Sequence, residues 1–338
     1  MMILPTYQCN LRCWYCIQGH SDSWMSKETI AKVKRLVRQK LVDQNISAFR
    51  LSWFGGEPLL NYPVVLELTT FCKSECKKAG KEFSSGITTN STLLAPKRIE
   101  ELRDAGIIDY QITIDGTREV HDKVKVLGSL SAYDVAINNI NEIAKHTHVN
   151  LRFNYTAKNL DPEGIIRQLK DSLNKEILNN VSFNLFKVWQ EGDDAIDVRK
   201  VDRLFLLGNQ MGLRTNLFHT NFCYVDQHRF DCIFPNSKVG KCDNLSPDEV
   251  YGTLTDKGTI EWDNENVKYA EPVLFSGVVE YECETCQYLP FCWGPCSVKR
   301  EYMWRNNNRI SCQFVDKHSQ LKQYILNYIH NREIVIAK

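Results

Sequence analysis

The sequence lacks a hydrophobic run long enough to cross a bilayer, since no segment approaches the roughly 18–20 consecutive apolar residues that a membrane span needs. It also lacks an excess of charge of one sign, because 42 Lys and Arg residues face 41 Asp and Glu residues in a chain of 338. This balance gives no electrostatic basis for binding nucleic acid or an anionic membrane. The segment before the first cysteine is too short for a signal peptide, so we expect a cytoplasmic protein.

Low-complexity tracts and linkers rich in proline, glycine and serine are also absent. Cysteine, in contrast, is abundant, with thirteen residues. In the reducing cytoplasm, such a number indicates metal ligation rather than disulfide bonds. Eight of the cysteines fall between Cys223 and Cys312, where hydrophobic periodicity is weak. We therefore expect metal clusters to stabilise this later segment.

Strand-like and helix-like patterns alternate from the N-terminus to about residue 211. Six strand–helix units predict a parallel sheet, and the sheet should stay open because a full barrel needs eight units. We predict an α/β fold with a partial (β/α)6 barrel over residues 1–211. A cysteine-rich, cluster-binding domain is predicted over 212–313, and a C-terminal helix over 314–338. In such folds the chemistry gathers at the C-terminal ends of the strands.

Three cysteines follow the first predicted strand with the spacing C-x3-C-x2-C: Cys9, Cys13 and Cys16. Three thiolates can hold three irons of a 4Fe-4S cube, and one iron then stays open to a ligand, since such a cube normally takes four cysteines. A zinc site with His20 as fourth ligand is the alternative, although structural zinc prefers two closely spaced ligand pairs. The pair Cys72 and Cys76 lies on one face of a predicted helix and indicates core positions.

The run from Tyr7 to Cys16 resembles the signature of the radical S-adenosylmethionine (SAM) superfamily, including the aromatic Tyr15 before the last cysteine. Gly55-Gly56-Glu57-Pro58 resembles the glycine-rich motif with which that superfamily binds the methionine amino group of SAM. The resemblance implies a cofactor site built at or near the strand ends. Its predicted cofactor-binding residues are Tyr15, Gly55, Gly56, Glu57, Thr89, Asn90, Thr113, Asp115 and Arg152.

Arg152 is assigned to the methionine carboxylate, because a guanidinium pairs with carboxylates in a bidentate manner. Each polar residue taken singly also fits a strand-end cap or a surface pair. His121-Asp122 is similar to the family pattern as well, but Lys125 stands where an arginine is usual. The family contact at that position is therefore not assigned to Lys125.

The spacing Cys283-x2-Cys286-x5-Cys292-x3-Cys296, followed by Cys312, resembles the SPASM domain of radical SAM enzymes that modify peptides and proteins. The resemblance implies two auxiliary 4Fe-4S clusters, each with four cysteines. The outer cluster is assigned to Cys283, Cys286, Cys292 and Cys312. The inner cluster is assigned to Cys223, Cys232, Cys242 and Cys296.

The spacing of the two upstream cysteines departs from the familiar pattern. One of Cys223 and Cys232 therefore has the alternative of a free core thiol, with an open coordination site for substrate. A zinc ribbon over Cys283–Cys296 is a further alternative, although the longer spacings fit paired zinc knuckles poorly.

Asp243 directly follows Cys242, and it resembles an aspartate of sulfatase-maturating relatives that acts as a base for the substrate radical. A carboxylate in apolar surroundings can accept a proton and so assist electron transfer from a carbon radical. The alternative is an aspartate that begins a turn, where such residues are common.

The resemblance implies that the protein cleaves SAM to methionine and a 5′-deoxyadenosyl radical, with electrons from an external donor such as flavodoxin or ferredoxin. The predicted substrate is a ribosomally made peptide that receives a thioether or carbon–carbon crosslink. The alternative is a sulfatase whose active-site residue becomes formylglycine. The chain starts at the first strand, so we expect no N-terminal leader-binding domain. A non-catalytic iron–sulfur or zinc protein is the remaining class, and the motif Gly55–Glu57 argues against it.

Overall fold

The computed structural model of the chain describes residues 1–188, 190, 196–216, 224, 227, 229–243, 252–263 and 285–286. The chain divides into two compact units. Met1–Asn216 and Asp231–Glu261 form the first unit, and Leu217–Phe230 and Trp262–Lys338 form the second. Nearly all the helices and strands within the described ranges belong to the first unit. The predicted domain boundaries at residues 211 and 313 stay predictions.

The described residues form seven α-helices and eleven strands. The strands are β1 (Met2–Ile3), β2 (Ala48–Trp53), β3 (Glu82–Thr89), β4 (Ile107–Ile114), β5 (His148–Tyr155), β6 (Val181–Lys187), β7 (Arg214–Asn216), β8 (Cys232–Ile233), β9 (Lys238–Gly240), β10 (Gly252–Leu254) and β11 (Ile260–Trp262). The helices are α1 (Lys27–Val42), α2 (Tyr62–Lys78), α3 (Pro96–Ala105), α4 (Arg118–Val124), α5 (Ala132–Ile143), α6 (Pro162–Ser172) and α7 (Val198–Met211). None of these helices is long and apolar enough to span a bilayer.

All eleven strands join one sheet in the order β11-β10-β9-β8-β1-β2-β3-β4-β5-β6-β7. The eight strands from β8 to β7 in this order run parallel, whereas β9 is antiparallel to both β8 and β10. Within the described part of the chain the sheet is open, since its order ends at β7 and β11. The predicted α/β fold with an open parallel sheet is therefore confirmed, and all six predicted strands are present.

The sequence pattern predicts the first strand over Ile3–Tyr7, but in the structure this strand is Met2–Ile3 and so ends earlier. Pro5 has no N–H to donate to the ladder, so the parallel pairing stops there. Thr6 instead forms an isolated antiparallel bridge with Trp24. The loop that carries the first three cysteines therefore begins directly at the edge of the sheet.

The alternation of burial along the strands separates the two faces of the sheet. In β4, Tyr110, Ile112 and Ile114 are fully buried, while Gln111 and Thr113 between them are partly exposed. Side chains alternate between the two faces of a strand, so each face of β4 has its own character, one apolar and one polar. All parallel strands end at the same edge, and their following loops meet there.

Candidate cofactor site

The sequence-predicted residues gather at the C-terminal edge of the parallel strands, as the fold class requires. The cysteine loop follows β1, and Glu57 follows β2. Thr89 ends β3, and Asp115 directly follows β4. Backbone and side-chain hydrogen bonds join these four loops into one site, and their geometry decides what each residue can do.

The cysteine loop presents three half-buried free thiols, those of Cys9, Cys13 and Cys16. The amide of Cys16 donates to the carbonyl of Cys13 at 3.0 Å and closes a turn. The amide of Leu11 donates to the Cys9 sulfur at 3.3 Å. Burial raises the pKa of Cys9 to about 11, and the nearby thiols Cys13 and Cys16 add to that rise. Iron ligation requires thiolates, so metal binding here must release protons.

The two glycines of Gly55-Gly56 bring the end of β2 against the start of the cysteine loop. The amide of Gly56 donates to the carbonyl of Thr6 at 3.2 Å. A Cβ added to Gly56 would lie 2.2 Å from the carbonyl oxygen of Gln8 and 2.4 Å from that of Tyr7. No side chain fits in that space. The glycines therefore allow a close approach between two parts of the backbone that carry the site.

Glu57 is a fully buried carboxylate with polar partners from its own and the neighbouring strand end. It accepts hydrogen bonds from the amide of Leu59 at 3.0 Å, the hydroxyl of Thr89 at 2.8 Å and the amide of Asn90 at 2.8 Å. Burial raises the pKa of Glu57 to about 7 against the opposite effect of these hydrogen bonds. No cationic side chain in the described ranges pairs with it. A buried anionic acceptor without a cation suits the ammonium group of a ligand.

Asn90 connects Glu57 to the cysteine loop. Besides its backbone contact with Glu57, its side-chain nitrogen donates to Asn10 at 2.9 Å and points at the sulfur of Cys9 at 3.7 Å. Its side-chain oxygen accepts from the amide of Thr92 at 3.0 Å. Asn90 therefore contacts a predicted iron ligand as well as the predicted amino-group site.

Tyr15 and Asp115, predicted from different motifs, contact each other. The Tyr15 hydroxyl donates to the Asp115 carboxylate at 2.6 Å. Lys125 forms a buried ion pair with the other oxygen of Asp115 and donates to the Tyr15 hydroxyl at 3.0 Å. Lys125 thus makes a definite contact at the place where the family pattern has arginine. Burial alone would lower the pKa of Lys125, but the negative charges around it, Asp115 first, raise it overall.

Thr113 and Arg152 are partners in the register of β4 and β5. The guanidinium of Arg152 donates to the side-chain oxygen of Asn154 at 2.8 Å and lies 4.0 Å from the centre of the Phe186 ring. Thr113 precedes Asp115 by two residues and so lies on the same side of its strand. Thr113 and Arg152 therefore lie within their strands, before the C-terminal edge at which Asp115 follows β4.

Cys232, Cys242 and Asp243 lie together in the first unit, and all three are buried. Burial raises the pKa of Cys232 well above its ordinary value, and the charges of Asp243 and Cys242 add to the rise. Gln18 lies two residues beyond Cys16, the last cysteine of the loop. Its side chain donates to the carbonyl of Asp243 at 3.0 Å. The structure therefore places Asp243 beside the cysteine loop.

The remaining predicted iron ligands belong to the second unit. Of these, Cys286 is described and is a half-buried free thiol. The others lie outside the described residues: Cys223, Cys283, Cys292, Cys296 and Cys312. The ligand sets of both auxiliary clusters stay predictions.

The donor set fits an iron–sulfur cube better than a single ion. No three His, Cys, Asp or Glu side chains in the described part of the chain converge as ligands of one metal ion. A structural zinc ion needs such convergence. In a 4Fe-4S cube each cysteine binds its own iron, so Cys9, Cys13 and Cys16 need only surround a common space. Both the cube and the zinc alternative with His20 stay predictions for these residues.

Comparison with known proteins agrees with this site. Residues 3–156 match the family model described as the radical SAM superfamily. Over these residues, less than half of the chain, the protein is similar to that superfamily. The matched residues contain the cysteine loop and the ends of β2 to β5, and the family matched there implies a 4Fe-4S cluster and SAM as cofactors.

The curated relatives include GTP 3′,8-cyclases. The chain is 29% identical over 120 residues to that of Paenarthrobacter nicotinovorans, covering 35% of this chain and 32% of the relative. It is 28% identical over 181 residues to that of Campylobacter jejuni subsp. jejuni, covering 52% of each. The chain thus matches about a third to a half of the length of these relatives, and the likeness does not extend to their whole activity.

Solved structures resemble the fold over a longer range. The structure of anSMEcpe with bound AdoMet and a Cp18Cys peptide has a TM-score of 0.69 at 16% identity and covers 100% of this chain and 98% of its own. SuiB of Streptococcus suis bound to S-adenosylmethionine has a TM-score of 0.56 at 14% identity, covering 93% and 74%. At such identities the likeness establishes the fold: a parallel sheet typical of the partial radical SAM barrel with an antiparallel C-terminal region.

Three contacts of the site were missed by sequence reasoning. Gln18 and Asn10 have no motif that distinguishes them from ordinary loop residues, and each acts through a partner distant in sequence. Lys125 was noticed as a departure from the family pattern, but its partners were not predicted. A basic residue that replaces another basic residue is a usable signal for a retained ion pair.

Proposed function

We propose that this chain is a radical SAM enzyme that modifies a peptide or protein, with a ribosomally made peptide as the substrate that receives a thioether or carbon–carbon crosslink. The observation that carries the proposal is the likeness of fold to anSMEcpe with its bound peptide, which spans the whole chain. The curated GTP 3′,8-cyclases match a shorter part. The matched part overlaps the region of the proposed SAM site. The likeness to these cyclases therefore supports SAM as the cofactor more than it supports GTP as the substrate.

In the proposal, Cys9, Cys13 and Cys16 hold the open-site cluster, and Glu57 accepts the ammonium group of SAM. Arg152 pairs with the methionine carboxylate of SAM. When bound, the reduced cluster supplies the electron that cleaves SAM to methionine and a 5′-deoxyadenosyl radical, which abstracts hydrogen from the substrate.

The remaining predicted contacts to SAM come from residues that the structure ties to the same strand ends. They are Tyr15, Gly55, Gly56, Thr89, Asn90, Thr113 and Asp115. The eight later cysteines are proposed to hold two auxiliary clusters that accept an electron from the product radical. An external donor such as flavodoxin or ferredoxin supplies the electrons for the first cluster.

A substrate assay tests the proposal. Anaerobically reconstituted protein is mixed with reductant and SAM in every reaction. Separate reactions then contain GTP, a cysteine-containing sulfatase-type peptide, or one of the short peptides encoded next to its own reading frame. We expect a loss of hydrogen in one neighbouring peptide, detected by mass spectrometry together with 5′-deoxyadenosine. A formylglycine product in the sulfatase-type peptide would favour the sulfatase alternative. Cyclised GTP with unmodified peptides would overturn the proposal.

Asp243 is proposed as the base that takes a proton from the substrate radical. Its burial and its backbone contact with Gln18 place it close to the cysteine loop, which supports the proposal. Asp243→Asn keeps the shape of the side chain and its preference for turns but cannot accept the proton. We expect this variant to make 5′-deoxyadenosine at a rate near that of the wild type and to form little modified product.

Asp231 offers a matched control, because it is also a buried aspartate in the first unit, paired with Lys40 and with Lys241 at 3.6 Å. Asp231→Asn should lower the melting temperature without separating cleavage of SAM from product formation. A wild-type yield of product from Asp243→Asn would assign Asp243 to the turn.

A further inference from the structure

Lys125, Asp115 and Tyr15 form a buried charged cluster beside the cysteine loop. Lys125 and Asp115 are 4% and 1% exposed. Each of the three side chains contacts the other two: the ammonium pairs with one oxygen of Asp115, the Tyr15 hydroxyl donates to the other at 2.6 Å, and the ammonium donates to that hydroxyl at 3.0 Å. The ammonium also lies 5.7 Å from the centre of the Tyr15 ring. Such a closed set of contacts holds its members in one arrangement.

The same cluster joins three separate segments of the chain. Tyr15 lies in the cysteine loop, Asp115 follows β4, and Lys125 follows α4. The backbone of Asp115 is itself held from two sides, since its amide donates to the His121 ring at 3.1 Å and its carbonyl accepts from Asn159 at 2.8 Å. The backbone of Asp115 is therefore held in place, and Lys125 helps to hold the cysteine loop against it.

His121 adds no charge to this set. Burial, and after it the nearby Lys125, lowers the pKa of His121 to about 3. Its Nδ1 accepts the hydrogen bond from the Asp115 amide, which requires an unprotonated nitrogen there. Lys125 is therefore the cation that faces Asp115 and Tyr15 within this group.

The ion pair of Lys125 lies against the segment that carries two of the three thiols. Tyr15 stands between Cys13 and Cys16 in the chain, and its hydroxyl contacts both members of the pair. Lys125 balances the negative charge of Asp115 at this place. Without the ammonium, the cysteine loop would face the carboxylate of Asp115 alone.

We propose that Lys125 is a positioning residue for the cluster site, which fastens the cysteine loop to the end of β4 through Asp115 and Tyr15 and makes the bound cluster easier to reduce. A nearby positive charge lowers the free energy of adding an electron, and net charge near a cluster is one determinant of its potential. This inference rests on the three cysteines holding the cluster. It does not depend on the identity of the substrate.

The test compares Lys125→Gln with Lys125→Arg in the anaerobically reconstituted protein. Glutamine can still donate a hydrogen bond but has no charge, whereas arginine keeps the charge. We expect the midpoint potential of the SAM-responsive cluster, followed by electron paramagnetic resonance, to become more negative in Lys125→Gln. Lys125→Arg should restore most of the wild-type potential. A general loss of stability would not produce this pattern of loss and rescue.

A second readout uses the metal-free protein. Amide hydrogen exchange in the segment from Leu11 to Gln18 should become faster in Lys125→Gln and stay near wild type in Lys125→Arg. Lys81→Gln is the matched control, because Lys81 is a partly buried lysine that bonds to the carbonyl of Ile46 at 2.8 Å, between other elements. It should change neither the exchange of the loop nor the potential.

If Lys125→Gln fails to fold, the double variant Asp115→Asn/Lys125→Gln replaces the ion pair with a neutral pair of amides. In this variant the exchange of the loop should stay faster than in the wild type, because the ion pair that fastens the loop is absent. An unchanged potential and unchanged exchange in either folded variant would overturn the proposal. A wild-type protein that binds no SAM-responsive cluster would contradict the proposed function instead, so the two failures are distinguishable.

Discussion

A triple variant in which alanine replaces Cys9, Cys13 and Cys16 is expected to lose cleavage of SAM and one whole cluster. Protein with one open-site cube and two fully ligated cubes should bind about twelve irons, and the triple variant should lose about four of them. The reason is that, in the proposal, these three thiols supply every protein ligand of the open-site cube. Iron and sulfide analysis and the yield of 5′-deoxyadenosine measure the two effects.

Cys72 and Cys76 provide the matched control for the loss of thiols. Both are free, fully buried and located in α2, where burial raises the pKa of their thiols, to about 12 for Cys72 and about 11 for Cys76. Such thiols behave as small apolar side chains. The double variant Cys72→Ala/Cys76→Ala should lose stability but keep its iron content and its cleavage of SAM. Cleavage of SAM that survives in the triple variant would show that the cysteine loop is not the radical site.

The Glu57→Gln variant is expected to bind SAM about ten- to a hundredfold more weakly, with unchanged iron content. Loss of a charge-assisted hydrogen bond costs about 1.5–3 kcal/mol, which corresponds to that range of affinity. Glu57 is buried and has no cationic partner in the described residues, so its charge is available to the ammonium of SAM. Equilibrium binding to the reconstituted protein measures the effect.

The pH dependence of binding gives a sharper form of this test. Burial raises the pKa of Glu57 to about 7 in the unliganded protein. Below that pH the carboxyl group is protonated and has no charge for the ammonium, so the affinity should rise as the pH increases through about 7. It should fall again above about 8, where an α-amino group loses its proton. In Glu57→Gln the rise through pH 7 should disappear.

Two controls separate binding from folding. Glutamine places an N–H group against one of the amides that Glu57 accepts from, so the melting temperature must be measured beside the affinity. Glu101→Gln removes a carboxylate of α3 that accepts from the Tyr62 hydroxyl of α2 instead of from a site residue. It should leave the affinity and its pH profile unchanged. A Glu57→Gln variant with wild-type affinity at every pH would show that Glu57 serves the structure alone.

Local patterns predicted the fold well because strands and helices depend on nearby residues. The sequence predicts a helix over Ala95–Ala105 with Pro96 at its start and Gly106 at its end, and α3 spans Pro96–Ala105. Gly106 has the positive φ of 113° that ends a helix there. The predicted end of β1 was wrong because the length of a strand depends on its pairing with the neighbouring strands, and this pairing stops before Pro5. The domain predicted over residues 212–313 stays a prediction, since most of its cysteines lie outside the described residues.

The sequence by itself determined which chemistry is present. Three thiols within eight residues, a carboxylate after two glycines and polar residues at two further strand ends are local facts of the chain. Because parallel strands all end at one edge, these local facts were enough to place the residues in one site. They also excluded a membrane span and any strong net charge.

Only the tertiary structure decided which of these residues contact each other. Tyr15 and Asp115 are 100 positions apart, and Gln18 and Asp243 are 225 apart. Gly56 proved necessary because of the carbonyl groups of Tyr7 and Gln8. Contacts over such separations depend on the register of the strands and on how each loop turns, and a short sequence pattern contains neither. The ion pair of Lys125 is therefore a property of the folded chain.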